Sequence, residues 1–100
     1  MNNMTEIDVK MASITVSNAP DILIARGVGS CMIVMAYDKG QKIGGMLHAM
    51  LPTKGPTDNN SAKYVDSGFD LLVSELKKKG VTNVKNLRLG LQVLQICFLV

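Results

Sequence analysis

Two apolar runs decide how this chain is read. The first is Gly27-Val28-Gly29-Ser30-Cys31-Met32-Ile33-Val34-Met35-Ala36-Tyr37, and the second is Ile43-Gly44-Gly45-Met46-Leu47-His48-Ala49-Met50-Leu51. Between them Asp38-Lys39-Gly40-Gln41 supplies turn chemistry, so the whole reads as an antiparallel hairpin. With those four residues as the loop, Tyr37 faces Lys42 and Ala36 faces Ile43, and the same register sets Cys31 opposite His48. Directly opposed residues on one face hold their Cβ atoms about 4.5–5.5 Å apart. The spacing therefore builds a candidate cysteine–histidine pair. A bulge at Gly44 or Gly45 would slide the pairing by one residue and send one of the two side chains to the other face.

Working outward, Ile14-Thr15-Val16 reads as a short strand, Asn18-Ala19-Pro20-Asp21 as a turn, and Ile22-Leu23-Ile24-Ala25 as a buried strand. After the hairpin, Pro52 ends the second run and Thr53 to Asn60 form a surface loop. Then the period changes. Ala62, Val65, Phe69, Leu72 and Leu76 are spaced as one face of a helix. Asn60 or Ser61 suits its start, Lys77-Lys78-Lys79 suits the negative end of its dipole, and Gly80 suits its C-terminal cap. Val81 to Leu89 leads back toward a strand. Strands followed by a helix on one side predict an α/β or α+β layer.

The chain has 100 residues, 47% hydrophobic and 19% charged, the balance of one globular domain spanning 1–100. With no Trp and four aromatics in all, aliphatic side chains and seven Met must fill the core. The net charge of +3 is mild, and the basic residues are dispersed apart from Lys77 to Lys79, which argues against nucleic-acid binding. The first residues carry acids and no apolar core, so no signal peptide is expected. No apolar run reaches the roughly 18 residues of a membrane span, so the chain is not expected to be membrane-inserted. These features point to a reduced, cytoplasmic chain in which Cys31 and Cys97 are free. One His and two distant Cys do not make a zinc set, so no metal is expected.

Cys31 and His48 each have an ordinary reading. A cysteine at a strand start is usually a small buried hydrophobe, and a lone histidine in an apolar run is usually a hydrogen-bonded core residue. Their opposition in the hairpin shifts the balance, because a nucleophile needs a base within reach and the base needs a third group to orient it. Gly27 and Gly29 clear the approach to Cys31, and backbone N–H groups around Gly29 and Ser30 suit an oxyanion hole. A tight turn explains the same glycines. No Lys-Ser/Thr pair comes after them, so this is not a P-loop. Lys63, Tyr64 and Asp66 read as a solvated first helical turn or as substrate-positioning groups.

Taken together, Asn18-Ala19-Pro20, Gly27-Val28-Gly29-Ser30-Cys31, Gly44-Gly45-Met46-Leu47-His48-Ala49-Met50-Leu51-Pro52 and Lys63-Tyr64-Val65-Asp66 resemble CheD, the chemoreceptor glutamine deamidase family of bacterial and archaeal chemotaxis. The resemblance runs from about Val9 to Leu89. It implies a three-layer sheet-and-helix hydrolase fold of the α/β (α+β) type, distantly like that of bacterial deamidase toxins. It also implies Cys31 as nucleophile, His48 as base, and no cofactor. The implied substrates are glutamines on the cytoplasmic helices of chemoreceptors (methyl-accepting chemotaxis proteins), some members also hydrolysing glutamyl methyl esters. The implied partner is a CheC-like phosphatase.

The chain departs from the family pattern twice. The third active-site position, a threonine six residues before the cysteine, is Ala25 here, so a nearby residue or a backbone carbonyl would have to orient the histidine. Residues 90–100 do not match the family's Gly-Gly-Ala-x-Met-Phe segment or its further strands and helices. With suitable synonymous codons, a one-base frame change across Gly90 to Val100 reads Ile-Ala-Gly-Val-Ala-Asn-Met-Phe-Leu-Gly, close to that segment. The resemblance thus implies a truncated or frameshifted member, incomplete at its C-terminus, with an aberrant tail at 90–100. The alternative to an enzyme is a catalytically impaired binding module for a CheC-like phosphatase or a chemoreceptor.

Overall fold

The computed structural model describes residues 5–26, 32–51, 60–92 and 96–99. In chain order it contains β1 (Glu6–Asp8), β2 (Ser13–Asn18), β3 (Ile22–Ala25), β4 (Met32–Asp38), β5 (Ile43–Ala49), α1 (Val65–Lys79), β6 (Leu87–Gln92) and β7 (Ile96–Leu99). Short 3-10 turns at Ser61–Lys63 and Val84–Asn86 precede α1 and β6. One sheet has the order β2-β5-β4-β6 and the other β1-β3-β7. The first is antiparallel throughout, whereas β1 runs parallel to β3 and β7 antiparallel to it. The result is the expected α+β layering, with the four-stranded sheet between a helix and a second sheet.

β5 explains that order. All seven of its residues are buried, as a strand must be when both of its faces are covered. Ile43, Leu47 and Ala49 join Val34, Ala36, Ala62, Leu72, Leu76 and Val81 in the core beneath α1. On the opposite face Met46 joins Val9, Leu23, Ala25 and Ile33 in the core between the sheets. α1 has the expected period, with Leu72 and Leu76 fully buried.

The hairpin forms, but its register differs from the sequence expectation. Asp38 pairs with Ile43, Ala36 with Gly45 and Ile33 with His48, so His48 faces Ile33. No bulge interrupts the ladder; the loop is displaced by one residue, to Lys39–Lys42. The Asp38 carboxylate supplies the reason. Buried at the end of β4, it accepts from the N–H groups of Gly40 at 3.0 Å and Gln41 at 3.2 Å, which makes Asp38 the last strand residue and the turn's own cap. Lys42 closes the loop in the left-handed region at φ 56°. Gln41 then ties the loop to the end of α1, donating to Gly80 O at 2.6 Å and accepting from Thr82 N–H at 3.2 Å.

At the helix ends, one expectation holds and one is corrected. Gly80, at φ 132°, caps the C-terminus as expected, its N–H reaching Leu76 O and Lys77 O. The N-cap is Tyr64, which makes no side-chain capping bond; Asn60 instead accepts from Ala62 N–H in the preceding 3-10 turn. Pro52 and the loop from Thr53 through position 59 lie outside the described residues.

Gly45 is a close-packing position. A Cβ added there would lie 2.8 Å from Leu72 Cδ1, 3.1 Å from Val16 Cγ2 and 3.3 Å from Leu76 Cδ2. Leu72 and Leu76 are fully buried and have little room to withdraw. Gly45→Ala is therefore expected to lower stability by about 1–3 kcal/mol through overpacking, read as a lower urea midpoint at unchanged m-value.

Candidate functional site

His48 is the residue around which the site is built. It lies near the end of β5, with Ser13 of β2 directly across on one side and Ile33 of β4 on the other. Its side chain is 1% exposed. Its main-chain carbonyl accepts from Ala12 N–H at 2.7 Å, fixing the backbone just before β2 begins. Its Nδ1 lies 3.0 Å from Val9 O. Nε2 is buried and has no hydrogen-bond partner among the described residues. Since Val9 O only accepts, Nδ1 is the donor in this bond.

Cys31, Gly29 and Ser30 lie outside the described residues. Cys31 precedes the first residue of β4, Met32, and stands two positions before Ile33, the residue opposite His48. Ala25 ends β3, is 1% exposed and belongs to the same buried cluster as Val9 and Ile33. It offers no hydroxyl.

The segment Lys63-Tyr64-Val65 is tied to the end of β5. Lys63 O accepts from Met50 N–H at 2.8 Å and Leu51 N–H at 3.1 Å, and Val65 N–H reaches Leu51 O at 2.9 Å. Tyr64 is 5% exposed, so it is a core residue and not part of a solvated turn; Lys63 Nζ stands 5.9 Å from its ring centroid. Asp66 is exposed in the first turn of α1. Sequence reasoning misses the Val9 carbonyl, a main-chain group that no residue pattern announces.

Among the described residues no group of three or more His, Cys, Asp or Glu side chains gathers as a metal site. No described helix is long and apolar enough to cross a membrane. A cavity of about 510 Å³ lies between α1 and β6 and is lined by Phe69, Val73, Val84, Leu87 and Leu89 among others. It belongs to the helix-covered side of the sheet, opposite the face that carries His48.

What these features define is a layered α+β domain with one buried, oriented imidazole in its central sheet. Comparison with known proteins makes that class specific. Over 77 residues the chain is 46% identical to the probable chemoreceptor glutamine deamidase CheD of Desulfitobacterium hafniense, a match covering 76% of this chain and 48% of that protein. It is 44% identical over 78 residues to the protein of the same name from Lachnoclostridium phytofermentans, covering 76% and 48%. With that of Pyrococcus horikoshii it shares 37% over 84 residues, covering 82% and 52%. The chain belongs to the CheD family. It spans about half the length of the curated relatives it matches. No protein-family model matches it.

His48→Ala empties a fully buried site and leaves Val9 O without its donor. We expect a loss of about 2–4 kcal/mol in stability, measured by urea unfolding, where a change under about 1 kcal/mol would contradict the burial described here.

Proposed function

We propose that this chain is a cysteine-dependent protein-glutamine deamidase acting on chemoreceptor helices, with Cys31 as nucleophile and His48 as its acid–base partner. The observation that carries this reading is the buried His48 Nε2, held in position through Nδ1 yet without a partner among the described residues. Most buried side-chain polar atoms have a hydrogen-bond partner, so a nitrogen without one calls for an explanation, and catalysis supplies it. The relatives' names supply the substrate class: each is called a probable chemoreceptor glutamine deamidase.

The chemistry comes from the two groups. His48 Nε2 takes the proton of the Cys31 thiol; the resulting thiolate attacks the carboxamide carbon of a glutamine side chain, and backbone N–H groups around Gly29, Ser30 and Cys31 hold the oxyanion. Collapse of this intermediate breaks the C–N bond while the His48 imidazolium gives its proton to the departing ammonia. Water, deprotonated by the now neutral His48, attacks the thioester; the C–S bond breaks and glutamate is left. Neither step requires a metal or an organic cofactor. The reaction takes place in the cytoplasm, where the receptor helices are exposed and thiols stay reduced.

A second reading is a binding module for a CheC-like phosphatase or a receptor helix. It draws on the apolar strip along β6, where Leu89 and Leu91 are 59% and 63% exposed. Catalysis and binding separate cleanly in Cys31→Ala, which removes the nucleophile and leaves that strip untouched.

The decisive experiment is mass spectrometry of a cognate chemoreceptor signalling fragment incubated with the chain and with Cys31→Ala. A glutamine-to-glutamate shift is expected with the unmodified chain alone. Receptor left unchanged by a folded chain would overturn the enzymatic reading.

A further inference from the structure

His48 is the chain's only histidine, and the group that holds it is main chain. Val9 comes directly after β1 and continues its pairing with β3, donating its own N–H to Ile24 O at 2.8 Å. Its side chain is 1% exposed, packed with Leu23, Ala25, Ile33 and Met46. The carbonyl facing His48 is thus anchored on both sides: by a sheet hydrogen bond before it and by a buried side chain beside it. Ile33, in the same cluster, is the residue directly across from His48 on β4. These contacts leave the ring one way to satisfy Val9 O, with the proton on Nδ1.

From this geometry we infer that the Val9 main-chain carbonyl is the positioning group of His48, fixing the Nδ1–H tautomer so that Nε2 is the basic nitrogen. The tautomer itself is a property of the fold; its catalytic meaning rests on the deamidase reading above. Because the orienting group belongs to the backbone, no hydroxyl at position 25 is required. The buried Ala25 beside Val9 is then compatible with a working imidazole and is not a mark of its loss. The device also links the two sheets, since β1 and β3 of one sheet aim a side chain carried by the central strand of the other.

A single histidine makes the test direct. In protein labelled with ring-¹⁵N histidine, two nitrogen signals belong to His48 alone, and their long-range couplings to the ring protons identify the tautomer. With the ring neutral, the expected result is a proton on Nδ1 that exchanges with water at least roughly tenfold more slowly than in free imidazole, as a buried hydrogen bond requires. A proton on Nε2, or a mixture of both tautomers, would overturn the inference.

Two variants extend the test to cause. An ester in place of the Val9–Lys10 amide, introduced by joining synthetic 1–30 to 31–100 at Cys31, keeps every side chain and weakens the carbonyl as an acceptor. Exchange at Nδ1 should then accelerate by roughly two- to tenfold, the factor set by the net worth of one hydrogen bond; an unchanged rate would count against the carbonyl. Ala25→Ser should leave both the tautomer and the rate of Cys31 alkylation within about twofold, whereas a tenfold gain would show that a hydroxyl had been wanting. An Nδ1–H tautomer in a folded chain that deamidates no cognate receptor would uphold the positioning role and remove the deamidase reading. An Nε2–H tautomer in an active chain would do the reverse.

Discussion

A strand covered on both faces sets the terms for everything else in this molecule. β5 has β2 and β4 as hydrogen-bonded neighbours, α1 above it and the β1-β3-β7 sheet below. Its side chains therefore divide strictly by parity between two cores. Ile43, Leu47 and Ala49 serve one, and Met46 and His48 face the other. Gly45 is the odd-numbered position at which the helix comes so close that even a Cβ would force Leu72 to shift. The approach of Leu72 and Leu76 over Gly45 closes the upper layer. The lower sheet closes the other, and the imidazole of a residue placed between them is removed from water.

Much of this is legible in the sequence because periodicity survives packing. The alternation around the hairpin, the 3-4-3-4 spacing from Ala62 to Leu76, and Gly80 past the helix end all carry local signals strong enough to read without neighbours. The register is not legible to the residue. Asp38 looks like the first residue of a loop, and it is in fact the last residue of a strand whose side chain folds back over the turn. Both roles use the same chemistry, so composition alone does not separate them. β1 escapes detection because three residues, two of them exposed acids, give no alternation to find. Tyr64 passes for a solvated residue because it stands beside Lys63 and Asp66, yet it is buried and is bridged through its main chain to Leu51.

For the proposed site the sequence offers candidate residues but no geometry. Cys31 and His48 stand out by their flanking glycines and by the hairpin that joins them, but the group that orients His48 is a carbonyl, present at every residue and visible only once the chain is folded. Energetics supports a use for this arrangement. A buried polar nitrogen without a partner costs about 1–3 kcal/mol, against a total stability of order 5–15 kcal/mol for a domain. An apolar residue at position 48 would remove that nitrogen but leave Val9 O without its donor. A histidine kept there, tethered at one nitrogen and unpartnered at the other among the described residues, is understandable where that second nitrogen has chemistry to perform.

The two halves of the candidate pair come from opposite kinds of structure. His48 is fixed by a central strand, the most rigid support the fold offers, whereas Cys31 precedes β4 in a glycine-rich stretch of sequence. Their relation is governed by the β4–β5 ladder, and that ladder is set at its far end, where Asp38 ends one strand and Lys42 admits the next. A one-residue slip there would carry through all seven pairs and turn every side chain of β5 to the opposite core, His48 to the helix and Leu47 to the sheet. Asp38 touches neither proposed catalytic group. It nevertheless decides which face of the sheet can hold the imidazole, and through that face which main-chain carbonyl can hold its ring.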